Sequence, residues 1–127
     1  MPKYAHPDVL DQGPALIRSA GTRLLLLSAY AFGDSFATAT ANTLATATLA
    51  TGDYTMAASG NNRLLTLAAG KTATASASAA GTPDLHLAIT DGASRLLWVT
   101  DETTNQAVAS GASVTFPALS YTATQPT

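Results

Sequence analysis

The stretch LHLAITDGASRLLWVT, from Leu85 to Thr100, carries the clearest structural pattern in this sequence. Up to Thr90, leucine and isoleucine alternate with smaller or polar residues, which is the period of a half-buried β-strand. The four residues 91–94, DGAS, have the composition of a tight turn, and a second apolar segment follows at residues 95–100. The stretch therefore predicts an antiparallel β-hairpin.

The second strand of this predicted hairpin is apolar on both faces. Leu96 and Trp98 are expected on one face, and Leu97 and Val99 on the other, because side chains alternate along a strand. This pattern is typical of a central strand, or of a strand that the N-terminal helix covers.

The middle of the chain, residues 36–80, consists largely of Ala, Thr and Ser. A low-complexity linker is one interpretation. Strands are favoured because large apolar residues recur and because Thr suits a pleated surface. Turn signals at Gly52-Asp53, at 60–62 and at Gly70-Lys71 are about ten residues apart, which is typical of a β-sandwich or barrel. Residues 63–77 predict a hairpin that turns at 69–71.

Two other parts of the chain complete the expected elements. Residues 37–50 are compatible with a short helix or a long loop. After the polar segment DETTNQ, residues 107–124 predict two or three strands, with a turn at Gly111 and a break at Pro117.

The N-terminal segment, residues 6–21, predicts a helix with a flaw. Pro7 suits a first helical turn, and Gly21 is a natural stop. Gly13-Pro14 lies inside the pattern, so the helix is either kinked there or begins at Pro14. The apolar residues that could share one helix face are Val9, Leu10, Leu16 and Ile17. A strand is expected next, from Thr22 to Ser28.

These segments predict a mainly β protein. The predicted fold is a single-domain antiparallel β-sandwich or barrel of about eight short strands with one N-terminal helix. Residues 1–21 form the arm and helix, and residues 22–127 form the β domain. A chain of 127 residues is long enough for one core.

Composition argues against several functional classes. Charged residues make up only 11% of the chain, cysteine is absent, and the six Lys and Arg residues are scattered. A nucleic-acid surface needs clustered cations, so no nucleic-acid partner is expected. No apolar run reaches membrane-spanning length, and the first residues lack a signal peptide pattern, so the host cytoplasm is the expected site of synthesis.

Metal-ligating and catalytic groupings are weak in this sequence. Asp84 and His86 are two residues apart and share a strand face, with Asp91 nearby, but a solvated polar face is the favoured interpretation. Ser94, His86 and Asp101 could in principle form a hydrolase triad, yet no nucleophile elbow is present. The sequence therefore predicts no metal site, no cofactor and no enzymatic activity.

Three further motifs have simpler explanations. The tripeptide His6-Pro7-Asp8 occurs in J-domain co-chaperones, but here it is better explained as a helix start. Gly70-Lys71-Thr72 ends like a phosphate-binding loop without its earlier glycine. A sugar-binding platform would use the aromatic residues, but a lone Trp in an apolar strand is usually core. Its members would be Trp98, Tyr30, Tyr54 and Tyr121.

Several segments together resemble a known group of proteins. They are PDVLDQGPALIRSAGTRLLLLS, GTPDLHLAITDGASRLLWVT and QAVASGASVTFPALSYTATQP. The chain resembles small virion structural proteins of tailed bacteriophages, which are often encoded among head and neck genes. The similarity is best between Gly81 and Leu119.

The resemblance implies a non-enzymatic assembly component of the virion. The favoured role is a capsid decoration (cement) protein that binds across capsomer junctions, where many weak contacts add avidity. Its partners would be the major capsid protein and copies of itself, as a trimer or another homo-oligomer. Neck, head-completion or tail components, with portal, neck or tail partners, are alternatives, as is a carbohydrate-binding β-module.

The two ends of the sequence are the expected partner contacts. Both are lightly charged and contain proline, and terminal segments often become ordered when a partner holds them. The residues are Met1, Pro2, Lys3 and Tyr4 in the arm, and Ala123, Thr124, Gln125 and Pro126 in the tail.

Overall fold

The structure is a computed structural model that describes residues 3–102 and 104–126. Within these residues the chain forms two α-helices, a short 3-10 turn at Thr51–Asp53 and nine strands. The helices are α1 (Pro7–Ala20) and α2 (Phe36–Thr40). The strands are β1 (Arg23–Leu27), β2 (Thr43–Thr48), β3 (Tyr54–Ser59), β4 (Asn62–Leu67), β5 (Thr72–Thr74), β6 (His86–Thr90), β7 (Leu96–Asp101), β8 (Ser113–Thr115) and β9 (Leu119–Ala123).

The strands form antiparallel sheets that enclose one main core. The first sheet has the order β2-β1-β6-β7, the second has the order β3-β4-β9, and β5 pairs with β8. The largest fully buried side chains of the core come from both larger sheets and from the loop after β8. These side chains include Leu24, Ile89, Leu65, Leu67 and Phe116. The prediction of a mainly β, small single-domain sandwich is confirmed.

The central position of β1 explains why four of its five residues are leucine. Leu24 and Leu26 face the main core, whereas Leu25 and Leu27 join a second apolar cluster on the other face of the first sheet. Ala39 of α2 belongs to this second cluster and is fully buried. Because both faces of the strand are covered, the usual alternation of apolar and polar residues is lost.

Helix α1 begins at Pro7 and runs through Pro14. The Nδ1 atom of His6 accepts a hydrogen bond from the Asp8 backbone N–H at 3.1 Å, which caps the first turn. The alternative start at Pro14 is therefore wrong. Gly13 has no Cβ to clash with the proline ring that follows it, which helps the helix to continue.

The buried face of α1 differs from the one expected. Pro14 and Ile17 are buried, but Val9 and Leu16 are exposed at 64% and 45%. The helix packs beside β4 and β9 through Ile17 and its neighbours one turn away. Val9 and Leu16 lie about 100° around the helix from Leu10 and Ile17, so the expected four-residue face was too wide for one contact.

The hairpin expected at residues 63–77 does not form. β4 pairs with β3 and β9, whereas β5 pairs only with β8, so the chain crosses from one sheet to another at 68–71. Phe116 accompanies this crossing, because its N–H donates to the Lys71 carbonyl oxygen at 2.8 Å. The turn signals there marked a change of sheet and not a reversal within one sheet.

The hairpin expected at Leu85–Thr100 forms as β6 and β7. Their register shifts between Ile89 and Thr90, and this irregularity places both Leu97 and Trp98 against the main core, with Leu96 and Val99 in the second cluster. The expected split of this strand into two alternating faces is therefore wrong around Leu97. β7 is an edge strand and not the expected central strand. Helix α1 does not cover it either, because the second cluster, on the sheet face away from the main core, contains Ala39 of α2.

The middle segment is ordered secondary structure. Residues 37–50 contain most of α2 and all of β2, so the alanine-rich part is a short helix followed by a strand. Ser35 caps α2, since its Oγ accepts the Thr38 backbone N–H at 3.1 Å. No helix among the described residues has both the length and the apolar character needed to span a membrane.

Candidate functional site

The N-terminal arm and the C-terminal tail meet at one end of the second sheet. The Ala5 backbone N–H donates to Gln125 Oε1 at 2.8 Å, and Gln125 Nε2 donates to the Ala5 carbonyl oxygen at 2.9 Å. Gln125 Nε2 also donates to the Asn61 carbonyl oxygen at 2.9 Å, and the Gln125 N–H donates to Asn62 Oδ1 at 2.9 Å. One glutamine side chain therefore holds the arm, the tail and the β3–β4 turn together.

A groove of about 440 Å³ lies at this junction. Its lining includes Lys3, Tyr4 and Pro7 from the arm, Asn61 from the β3–β4 turn, and Gln125 from the tail. The Tyr4 ring is 71% exposed beside it. We call the groove and the two chain segments around it the arm–tail surface.

The predicted partner-contact residues are divided by the structure. Lys3, Tyr4 and Gln125 line the groove, whereas Ala123 ends β9 and is paired with Arg63. Thr124 and Pro126 are exposed in the tail, and Met1 and Pro2 lie outside the described residues.

Val9 and Leu16, which were expected on the shared apolar face of the helix, form an apolar stripe on the exposed side of α1. Val9 and Leu16 are seven residues apart, which places them on one helix face two turns from each other. We call these two residues the α1 stripe. The pattern could have shown it if Pro14 had been counted as apolar, because Leu10, Pro14 and Ile17 then form the inward face.

A second exposed apolar side chain lies elsewhere. Phe32 is fully exposed in the loop between β1 and α2. The Asp34 carboxylate orders this loop by accepting the Ala31 backbone N–H at 2.9 Å. The loop therefore presents an aromatic ring from a fixed turn.

Two acidic residues lie beside His86, the expected Asp84 and the cross-strand Asp101. His86 and Asp101 are cross-strand partners at the open end of the β6–β7 hairpin, and His86 Nε2 lies 3.9 Å from Asp101 Oδ1. Asp84, His86 and Asp101 offer ligand atoms that all lie within 4.8 Å of one another. We call these three residues the His86 cluster.

Asp91 lies at the other end of β6 and organises the hairpin turn. Its Oδ1 accepts the N–H groups of Ala93, Ser94 and Arg95 at 2.9, 2.8 and 3.0 Å, and its Oδ2 pairs with the Arg95 guanidinium at 3.1 Å. These hydrogen bonds, led by that of Ser94, hold the pKa of Asp91 well below its ordinary value. Its grouping with Asp84 and His86 was therefore wrong.

The same separation removes the hydrolase triad. Ser94 is in the turn that follows β6, whereas His86 is the first residue of that strand. A five-residue strand spans roughly 13 Å from first to last residue, which is far beyond hydrogen-bond reach. Ser94 is thus not beside His86 and Asp101.

The aromatic residues are also dispersed. Trp98 and Tyr121 pack edge to face with ring centroids 5.6 Å apart against the main core, while Tyr30 lies beside His86 on the other face of the first sheet. Tyr54 is buried, and its hydroxyl donates to the Gly21 carbonyl oxygen at 2.8 Å. Burial, with a smaller contribution from the Asp53 charge, raises the pKa of Tyr54 to about 12.

Asp53 and Lys71 account for two of the turn signals. The Asp53 carboxylate accepts the Ala50 backbone N–H at 2.8 Å and pairs with Lys71 Nζ at 2.9 Å. The Ala50 hydrogen bond first, and then Lys71, lower the pKa of Asp53. Lys71 thus serves a structural ion pair in the fold, which agrees with the rejection of a phosphate-binding loop.

A half-open pocket beside the main core is small. It has a volume of about 170 Å³ and lies between β6 and the segment around β8, with Leu85, Leu87 and Phe116 in its lining. Pockets for organic ligands usually measure about 300–1,000 Å³.

No protein-family model matches this sequence, and neither a curated protein nor a solved structure matches it.

Proposed function

We propose that this chain is a structural subunit of a bacteriophage virion, and specifically a capsid decoration protein that binds the outer shell and copies of itself. The observation that carries the proposal is the placement of exposed apolar groups next to paired chain ends. Tyr4 on the arm–tail surface is exposed, and the exposed α1 stripe of Val9 and Leu16 lies on the helix that begins at Pro7. The resemblance to virion structural proteins supplies the setting.

The α1 stripe is suited to a protein partner. Full burial of one aliphatic side chain contributes about 1.5–3 kcal/mol, so each copy would gain only a modest free energy from the stripe. A lattice that repeats this contact many times converts weak binding into high occupancy. This is the energetic pattern that a decoration protein requires.

The body of the protein supports a passive role. Two large sheets share one core, and the acidic side chains of the turns are used in capping and ion pairs, as at Asp53 and Asp91. Ser94, the serine of the hydrolase triad, is separated from His86 by the length of β6. A rigid body with adaptable contacts at its ends fits a subunit that must match many equivalent sites.

The test is binding to capsids that lack the protein. Purified chain is mixed with undecorated capsids and imaged, and its mass in solution is measured. The proposal expects density at repeated capsomer junctions and a trimer or another homo-oligomer. Density confined to the portal vertex or the tail would assign a neck or tail role, and an unbound monomer would refute the proposal.

Matched variants connect binding to the proposed surface. V9D and L16D place a charge on the α1 stripe, and S120D places the same charge on an exposed position of β9. We expect the two stripe variants to lose capsid binding and S120D to keep it, with all three folding normally because the positions are exposed. Equal binding by all three would exclude the stripe as the contact.

A truncation separates the arm from the fold. Removing residues 1–4 takes away Lys3 and Tyr4 but leaves the Ala5–Gln125 hydrogen bonds and the His6 cap. We expect weaker assembly with little change in the free energy of unfolding. Equal losses of assembly and stability would show that the arm acts through the fold alone.

A further inference from the structure

We propose that the His86 cluster binds one divalent transition-metal ion of the zinc class, at the open end of the β6–β7 hairpin. Nothing in the proposed virion role requires this site, and the two proposals stand independently. One imidazole and two carboxylates form a ligand set that zinc accepts in proteins.

The hydrogen bond at Nδ1 fixes which nitrogen of His86 is available. His86 Nδ1 lies 3.0 Å from the Asp84 carbonyl oxygen. A carbonyl oxygen only accepts, so this contact favours the tautomer in which Nδ1 donates and the lone pair is on Nε2. Metal-binding histidines are commonly oriented in this way, with the other ring nitrogen donating to a backbone carbonyl.

The Nε2 atom of His86 lies close to both carboxylates. Asp101 Oδ1 is 3.9 Å from Nε2, which is too long for a hydrogen bond. Two ligands of one tetrahedral zinc ion are roughly 3.4 Å apart, given bond lengths near 2.0–2.1 Å. Only small rotations of the exposed Asp84 and Asp101 side chains are needed, because all three ligand atoms already lie within 4.8 Å.

The two carboxylates have no competing partners in the described part of the chain. No lysine or arginine described there forms an ion pair with Asp84 or Asp101, and no described N–H donates to either carboxylate. The cluster therefore offers two carboxylate groups to a bound cation. His86 is well fixed between them, since its side chain is only 15% exposed and packs beside Tyr30 with ring centroids 5.8 Å apart.

The test uses chelator-treated, untagged protein titrated with zinc chloride in a calorimeter. We expect saturable binding of one zinc ion per chain and a thermal unfolding midpoint that rises with zinc concentration. D84N and D101N each remove one ligand charge at an exposed position, and each should weaken binding by at least ~10-fold, the lower bound seen for loss of an outer-shell partner. H86A should abolish binding.

The other histidine provides a matched control. His6 also lies beside an aspartate, with its Nδ1 3.6 Å from Asp8 Oδ2. H6N removes this imidazole but keeps a side-chain oxygen that can cap α1. We expect unchanged zinc affinity in H6N. The proposal is overturned by an absence of saturable binding, by binding that survives H86A, or by binding that H6N abolishes, and D84N and D101N keep it testable if H86A does not fold.

Discussion

Replacing Gly21 by alanine is expected to lower the free energy of unfolding by about 1–5 kcal/mol. Gly21 is buried where α1 ends and β1 approaches. A Cβ at this position would meet the Ile17 carbonyl oxygen, the Tyr54 hydroxyl oxygen at 2.5 Å and Ile89 Cγ2 at 2.7 Å. Its φ of −75° suits any L-residue, so the cost comes from steric overlap and not from the backbone.

The magnitude follows from two overlapping costs. Forcing one extra methyl group into a packed site costs about 1–3 kcal/mol. Displacing the Tyr54 hydroxyl from the Gly21 carbonyl oxygen leaves buried polar atoms unpaired, which costs about 1–3 kcal/mol. The smaller conformational freedom of alanine in the unfolded chain offsets about 0.4–1 kcal/mol of this loss.

The assay is urea unfolding followed by circular dichroism and by Trp98 fluorescence. Gly52 is the matched control, because it is exposed and its added Cβ would meet no atom within 4 Å. G52A is expected to equal the wild type or to exceed it by up to about 1 kcal/mol. If G21A unfolds within about 0.5 kcal/mol of G52A, the steric argument at the end of α1 is refuted.

Three further predictions concern titration and packing. The pKa of Tyr54 is raised to about 12 from an unfolded value near 10, so its stabilising contribution is present below about pH 10. The free energy of unfolding of the wild type should therefore fall by about 2–3 kcal/mol between about pH 10 and 12. Y54F should lack this loss when unfolding is measured at both pH values. The pKa of Asp91 is lowered, so its contribution to the free energy of unfolding is present above about pH 4, the ordinary pKa of an aspartate, and disappears as the pH falls further. The thermal midpoints of the wild type and D91N should therefore converge in acid. A constant difference between the two midpoints would contradict this prediction. F116A should cost about 3–5 kcal/mol and the exposed F32A less than about 0.5 kcal/mol in urea unfolding, and similar losses would contradict the assigned core.

The local patterns of the sequence predicted the elements better than their partners. The Leu85–Thr100 hairpin was predictable because two apolar segments flank a turn with strong Asp and Gly signals. The 63–77 segment has the same local signals, yet β4 and β5 belong to different sheets. What separates the two cases is the long-range pairing of β4 with β9 and of β5 with β8, which local sequence does not encode.

The His86 cluster shows the same limit. Asp91 is closer to His86 in sequence than Asp101, but a strand carries the chain away from its first residue, and the antiparallel return brings Asp101 back. Asp84 could be placed beside His86 because two residues apart on a strand share a face. The exposure of Val9 and Leu16 could not be predicted without knowing which side of α1 meets the sheet.

The register shift between β6 and β7 determines on which side of the sheet the Asp101 side chain lies. Thr90 pairs with Leu96, and Leu97 is the additional residue that the shift accommodates before His86 meets Asp101. If the pairing continued from Thr90 and Leu96 without the shift, His86 would face Thr100, and the Asp101 carboxylate would point to the opposite side of the sheet. Deleting Leu97 alone would therefore make the ladder regular and still leave Asp101 opposite His86, whereas adding one more residue to β7 after Trp98 would send the Asp101 carboxylate to the other side of the sheet.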